Sequence, residues 1–268
     1  FWNYYFQVAD DLRAHGETVV ISQVSPFADS ATRGAQLAAA IDGALRSTGA
    51  CKLNVIAHSQ GGIDARVAIS GRGYGDRVAT LTTVSTPHRG TPVADVALGL
   101  LPGFSYTVID AVLQVYAAIV GAPPGDPGLK AQLRQLTTRD MAAFNASHPD
   151  DRRVAYYSVA GRSAARLPDA SCQGGLWADN SRIDILNVLF GGAQLVFVGT
   201  SPNPLAPALN DGLVTVDSAR WGRFLGCVPA DHLDEIGQLF HLGTDLVSGF
   251  NHRALYRRIA DQLHRDGY

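Results

Sequence analysis

A short apolar run, Lys52 to Ala57, leads directly into His58-Ser59-Gln60-Gly61-Gly62, and a helix-patterned stretch from Gly62 to Ser70 follows at once. No other feature restricts the fold as much. A strand that turns sharply into a helix needs small residues two before and two after the turning serine, because larger side chains there collide with neighbouring backbone. Ala57 and Gly61 meet that demand. The turn presents the Ser59 hydroxyl at the open end of a sheet, and the amide of Gln60 falls at a helix N-terminus, where it can donate to an oxyanion. Such a string alone is weak, and an ordinary strand-to-helix turn is the plain alternative. The strand before it and the helix after it are the context the motif requires.

The rest of the chain alternates in the same way. Helix is expected over Tyr4–His15, Gly34–Arg46 and His252–Leu263. Strand is expected over Thr18–Val24, Val78–Ser85, Val154–Ala160 and Gln194–Val198. Alternating strand and helix implies a mainly parallel sheet flanked by helices, an α/β architecture. Between Thr91 and about Pro127 the pattern gives way to apolar helical stretches broken by Pro and Gly. The clearest, Thr107 to Val120, is apolar on nearly every side. It reads either as a buried core helix or as a lid over an apolar site. The 268 residues suit one domain with this lid insertion.

A serine needs a histidine to take its proton and a carboxylate to hold that histidine. In chain order the acid should follow the serine and the histidine should come last. Asn210-Asp211-Gly212 marks a tight turn, and His232, within Asp231-His232-Leu233-Asp234, comes 21 residues after Asp211. Of eight histidines, His15, His58, His88 and His148 come too early, while His252 and His264 belong to the last helix. His241 is the weaker rival to His232, and Asp217, Asp231 and Asp234 are the rival acids. The formal net charge of −2 excludes the large basic field of a nucleic-acid binder. No stretch reaches the ~18 apolar residues of a membrane span. Three cysteines allow one disulfide. Cys51 opens an apolar strand, so Cys172 and Cys227, both in Gly- or Pro-flanked loops, are the expected pair, which would place the protein outside a reducing cytosol.

With these residues in place, the chain resembles the bacterial true lipases, secreted triacylglycerol hydrolases of the α/β-hydrolase fold. The similarity covers nearly the whole chain. Its landmarks are Arg33-Gly34-Ala35-Gln36-Leu37, Val55 to Gly62, Ser85-Thr86-Pro87-His88-Arg89-Gly90, Leu136-Thr137-Thr138, Asn210 to Val214 and Asp231 to Glu235. The resemblance implies a triad of Ser59, Asp211 and His232. It also implies a structural Ca²⁺ held by the carboxylates of Asp184 and Asp234 and the backbone carbonyls of Gln238 and Leu242, an oxygen-only set that suits this ion. Secretion, a lipid substrate at an interface and a dedicated lipase foldase as folding partner are implied with it.

Two departures stand out. The family carries an upstream apolar strand leading to His-Gly, whose loop supplies a second oxyanion amide, and no such string lies upstream here. The chain opens on Phe1-Trp2-Asn3-Tyr4-Tyr5 without a signal peptide, so a mature or trimmed form is expected. Cys172 and Cys227 also lie away from the family's usual disulfide positions, so their pairing rests on the cysteine count. The expected activity is hydrolysis of long-chain acylglycerols. The alternatives are a short-chain esterase or polyester hydrolase with the same triad, and a catalytically silent relative that binds a partner or apolar ligand.

Overall fold

The computed structural model describes residues 4–26, 28–120, 127–163, 170–172, 174–177, 190–203, 207–238 and 248–268. Four strands, β1 (Leu53–His58), β2 (Val78–Val84), β3 (Ala155–Gly161) and β4 (Arg223–Val228), form one sheet in that order. Each neighbouring pair is parallel. All four strand tips therefore point the same way, and in open parallel sheets ligands gather beyond that edge.

The helices cover the sheet with their apolar sides. Helix α2 (Ser30–Thr48) starts where the Asp29 carboxylate accepts from Thr32 N, and it stops at Gly49 in the left-handed conformation. Its Ala38 and Ile41 pack with Ala65, Ala68 and Leu81. Helix α3 (Gln60–Arg66) follows β1 after the single residue Ser59 and runs into a π-turn at Val67–Gly71. The short α1 (Val8–Ala14) and the last helix, α10 (His252–Arg265), pack together through Val8, Leu12 and Tyr256.

A helical layer lies beyond the strand tips. It comprises α4 (Pro92–Ala97), α5 (Tyr106–Val120), α6 (Pro127–Arg134) and α8 (Gly191–Thr200), with α7 (Thr138–Ser147) between α6 and β3. Val112, Val115, Tyr116 and Ala117 of α5 sit in the largest apolar cluster. That cluster also holds Ile63 of α3, Leu213 and Val214 of the Asp211 turn, and Leu233 beside His232. The opposite side of α5, with Tyr106, Thr107, Asp110 and Gln114, faces out. Helix α5 is thus amphipathic rather than buried on all sides.

Three expectations need correction. Gln194–Val198 is not a strand but part of α8. Its apolar run fits either period, and burial of Ala193, Val196 and Phe197 at helical spacing decides for helix. Thr18–Val24 carries no sheet pairing among the described residues, and Val20 and Ile21 are each 51% exposed. Strand β4 was not anticipated. Gly226, with φ +114°, interrupts its apolar run, and the ladder to β3 shifts register between Ser158 and Ala160.

Cys172 and Cys227 form a disulfide across 55 residues, while Cys51 is an exposed free thiol. The bond ties the short turn Ala170–Cys172 to the end of β4, five residues before His232. Closing a loop of that length restricts the unfolded chain by about 4 kcal/mol. The double substitution Cys172→Ala/Cys227→Ala is expected to lower the melting temperature by about 5 °C or more in calorimetry.

Candidate active site

The site begins at the tip of β1. Ser59 adopts φ 54° and ψ −135°, a positive-φ geometry uncommon for a residue with a side chain. Its amide donates to Val84 O at 2.9 Å, so the turn is fastened to the neighbouring strand. The Thr86 hydroxyl donates to Ser59 O at 2.7 Å. A Cβ on Gly61 would come within 3.7 Å of the Ala57 Cβ, so the two small residues face each other as expected. Gly62 is under the tighter restriction, because a Cβ there would overlap Thr86 and approach the Thr83 methyl at 2.8 Å. The main chain of α3 starts at Gln60, and its amide is one of the unpaired donors of that first turn.

Asp211 sits in the tight Asp-Gly turn. Gly212 holds φ +97°, and a Cβ there would press on the Phe190 ring. Asp211 Oδ1 accepts from Leu213 N at 2.9 Å and from Val214 N at 2.7 Å, leaving Oδ2 free to face His232. His232 Nδ1 donates to Asp211 Oδ2 at 2.7 Å. His232 N donates to Asp211 O at 2.9 Å, so the two loops are joined by backbone as well. With the Nδ1 proton held there, Nε2 is left to accept from the Ser59 hydroxyl at 2.9 Å. Asp211 and His232 are both fully buried.

The rival groups are occupied elsewhere. Asp231 Oδ1 accepts from Leu233 N and Asp234 N, which shapes the loop that carries His232. Asp217 lies in the first turn of α9 (Val216–Ala219). His88 is stacked on Trp221 and bonded to the Thr83 hydroxyl. His252 bonds Phe6 O at the start of α10. His241 lies outside the described residues.

The sequence reading missed a buried polar chain beside the triad. His58 Nε2 and Glu235 Oε2 lie 2.9 Å apart, and His58 Nδ1 lies 2.8 Å from the Tyr4 hydroxyl. The Ser85 hydroxyl donates to Glu235 Oε1 at 2.6 Å. Burial and the Asp211 charge push the Glu235 carboxyl well above the ordinary range. Burial and the neighbouring His232 hold His58 well below its own. Both favour a neutral, hydrogen-bonded pair over an ion pair. Glu235 was read only as the last residue of the Asp231 to Glu235 landmark, and nothing local in the sequence points to His58, 177 residues away.

Of the implied Ca²⁺ ligands, Asp184 and Leu242 lie outside the described residues. Asp234 is buried at the start of the turn Asp234–Ile236, two residues beyond His232. Gln238 follows that turn, and its side-chain amide donates to Tyr4 O at 2.7 Å. A buried carboxylate and a backbone carbonyl are both oxygen donors, the kind of ligand a hard cation takes. His58, His232 and Glu235 also approach one another closely, but their donor atoms are engaged in the chains described above.

No family model matches the chain. It is 32% identical over 267 residues to a triacylglycerol lipase of Pseudarthrobacter phenanthrenivorans, covering 88% of this chain and 83% of that protein. It is 30% identical to a triacylglycerol lipase of Vibrio cholerae, covering 99% of this chain and 83% of the relative. Among solved structures, Staphylococcus hyicus lipase superposes with a TM-score of 0.65 at 16% identity, over 99% of this chain and 90% of that one. A metagenomic carboxyl esterase superposes with a TM-score of 0.65 at 20% identity, over 98% and 70%. These superpositions establish the α/β-hydrolase fold. The similarity to the curated lipases, over most of both chains, establishes more: the chain belongs to the triacylglycerol lipase family of serine ester hydrolases.

Proposed function

We propose that this chain cleaves long-chain acylglycerol esters by acyl transfer through Ser59, with His232 as base then acid and Asp211 as the carboxylate that orients it. The continuous chain from Asp211 Oδ2 through His232 to Ser59 Oγ, at 2.7 and 2.9 Å, carries the reading. Ser59 Oγ attacks the ester carbonyl as His232 Nε2 takes its proton. The Gln60 amide donates to the oxyanion. His232 then protonates the departing alcohol, and water repeats the sequence on the acyl-enzyme.

The long-chain preference is supported by the helical layer over the strand tips. Leu100, Tyr106, Leu195 and Val198 of this layer are exposed apolar side chains, a surface suited to lipid. We read residues 91–127 as a lid within a single domain. A series of p-nitrophenyl esters and emulsified triacylglycerols should show the highest turnover on long acyl chains. Turnover confined to short soluble esters would favour the esterase alternative, and none at all the silent binder.

The Ca²⁺ proposal extends to Asp234 and the Gln238 carbonyl, with Asp184 and Leu242 as the expected remainder. The ion would supply fixed positive charge that pins the loop carrying His232. Chelation is expected to lower the melting temperature by about 5 °C or more, with recovery on adding Ca²⁺. An unchanged melting curve would remove the ion from the account.

No helix among the described residues is long and apolar enough to cross a membrane. The disulfide supports a place outside the reducing cytosol, and we extend this to secretion. Immunoblots of culture supernatant and cell fractions test it, and retention in the cytosol would contradict it. Foldase dependence, proposed on the family resemblance, fails if denatured protein regains activity unaided.

A further inference from the structure

We propose that His58, fixed by Tyr4 and Glu235, is a positioning residue that sets the His232 imidazole against Ser59. This rests on the triad reading above. The His58 side chain is fully buried, and its ring lies 4.4 Å from that of His232, centroid to centroid, inclined at 47°. Both of its nitrogens are engaged, Nδ1 with the Tyr4 hydroxyl at 2.8 Å and Nε2 with Glu235 Oε2 at 2.9 Å. Its amide donates to the Tyr5 hydroxyl at 2.9 Å.

The chain continues to the other strand tips. The Ser85 hydroxyl donates to Glu235 Oε1, and Gly161 N donates to Ser85 Oγ at 2.9 Å. A Cβ at position 161 would overlap Glu235 Oε1, so that glycine makes room for the carboxyl. The ends of β1, β2 and β3 are thereby joined to Glu235, three residues beyond His232.

A polar chain of this kind is costly to bury unless every member is satisfied, and when satisfied it fixes one arrangement. An apolar residue at 58 would fill the space but leave its plane free to turn. A histidine held at both nitrogens cannot turn, so His232 rests on a fixed wall. A displacement of about 1 Å in a reacting group costs about 10²-fold in rate.

The test uses Tyr4→Phe, Glu235→Leu and Glu235→Gln, all in calcium. For each variant we would measure the rate of Ser59 modification by a p-nitrophenyl phosphonate, kcat and KM on a soluble ester, and the melting temperature. Tyr4→Phe and Glu235→Leu should slow phosphonylation and lower kcat by about 10- to 100-fold, with KM changed by no more than about twofold. The downfield Nδ1 proton resonance of His232 should shift or broaden with them. Glu235→Gln keeps an amide that can bridge Ser85 and His58, and it should recover most of the loss. Unchanged phosphonylation in folded Tyr4→Phe would overturn the proposal, even if the melting temperature fell. So would a Glu235→Gln variant as slow as Glu235→Leu. If Glu235→Leu does not fold, Tyr4→Phe decides. Failure of the unaltered enzyme to label at Ser59 would instead refute the triad reading.

Discussion

Ser59→Ala is expected to lower ester turnover by about 10⁶-fold while leaving the melting temperature within about 2 °C. The two outcomes have separate causes. Turnover falls because no other group is placed to attack: His232 Nε2 points at Ser59 Oγ and at no other described nucleophile. What remains comes from substrate binding and the Gln60 amide, which still act without the triad. Stability holds because alanine has the same Cβ at the same φ of 54°, so the strain of the turn is unchanged. The bonds that fasten the turn, Ser59 N to Val84 O and Thr86 Oγ1 to Ser59 O, are made by backbone atoms of residue 59. Circular dichroism melting and a pH-stat assay measure the two quantities. Retained turnover would remove Ser59 from the mechanism.

Asp211→Asn carries the next largest effect, a fall in kcat of about 10⁴-fold. The two amides at Leu213 and Val214 fix which end of the new side chain goes where. An asparagine keeps its carbonyl oxygen on those donors and turns its NH₂ towards His232. Nδ1 must then accept, the ring proton moves to Nε2, and the ring can no longer take a proton from Ser59. KM should change little, because Asp211 is buried behind His232. The melting temperature should also hold, since the turn retains its hydrogen bonds. Near-normal kcat would mean that some other group orients His232.

That Ser59, His232 and Asp211 meet in one hydrogen-bonded chain was legible because each sits in a turn that announces itself locally. Ser59 lies between Ala57 and Gly61, Asp211 precedes Gly212, and His232 comes at the required place in chain order. The disulfide was legible from the cysteine count and loop composition. Elements that depend on tertiary context were not. The run Leu195-Val196-Phe197-Val198 suits a strand and a helix equally, and packing against α4 and α5 decides it. Gly226 hid β4, and its reason is spatial: Gly174 approaches it closely, with the Cβ position of Gly226 only 3.0 Å from the Gly174 Cα. Thr18–Val24 has the composition of a strand but no paired neighbour among the described residues.

The chemistry around the triad was hidden for a related reason. His58 was passed over because it comes too early in chain order to be the base. The same position, one residue before Ser59, is what puts its ring against His232. Glu235 entered only as the last residue of the Asp231 to Glu235 landmark, with no role of its own. Burial makes its carboxyl a hydrogen-bonding group between two strand tips and the loop that carries His232.

The most direct measurement is modification by a fluorophosphonate, followed by proteolysis and mass spectrometry. A single adduct on Ser59 is expected, formed in parallel with loss of esterase activity and reduced to a trace in His232→Ala. An adduct on another residue, or full activity after Ser59 is modified, would contradict the assignment of this serine as the nucleophile.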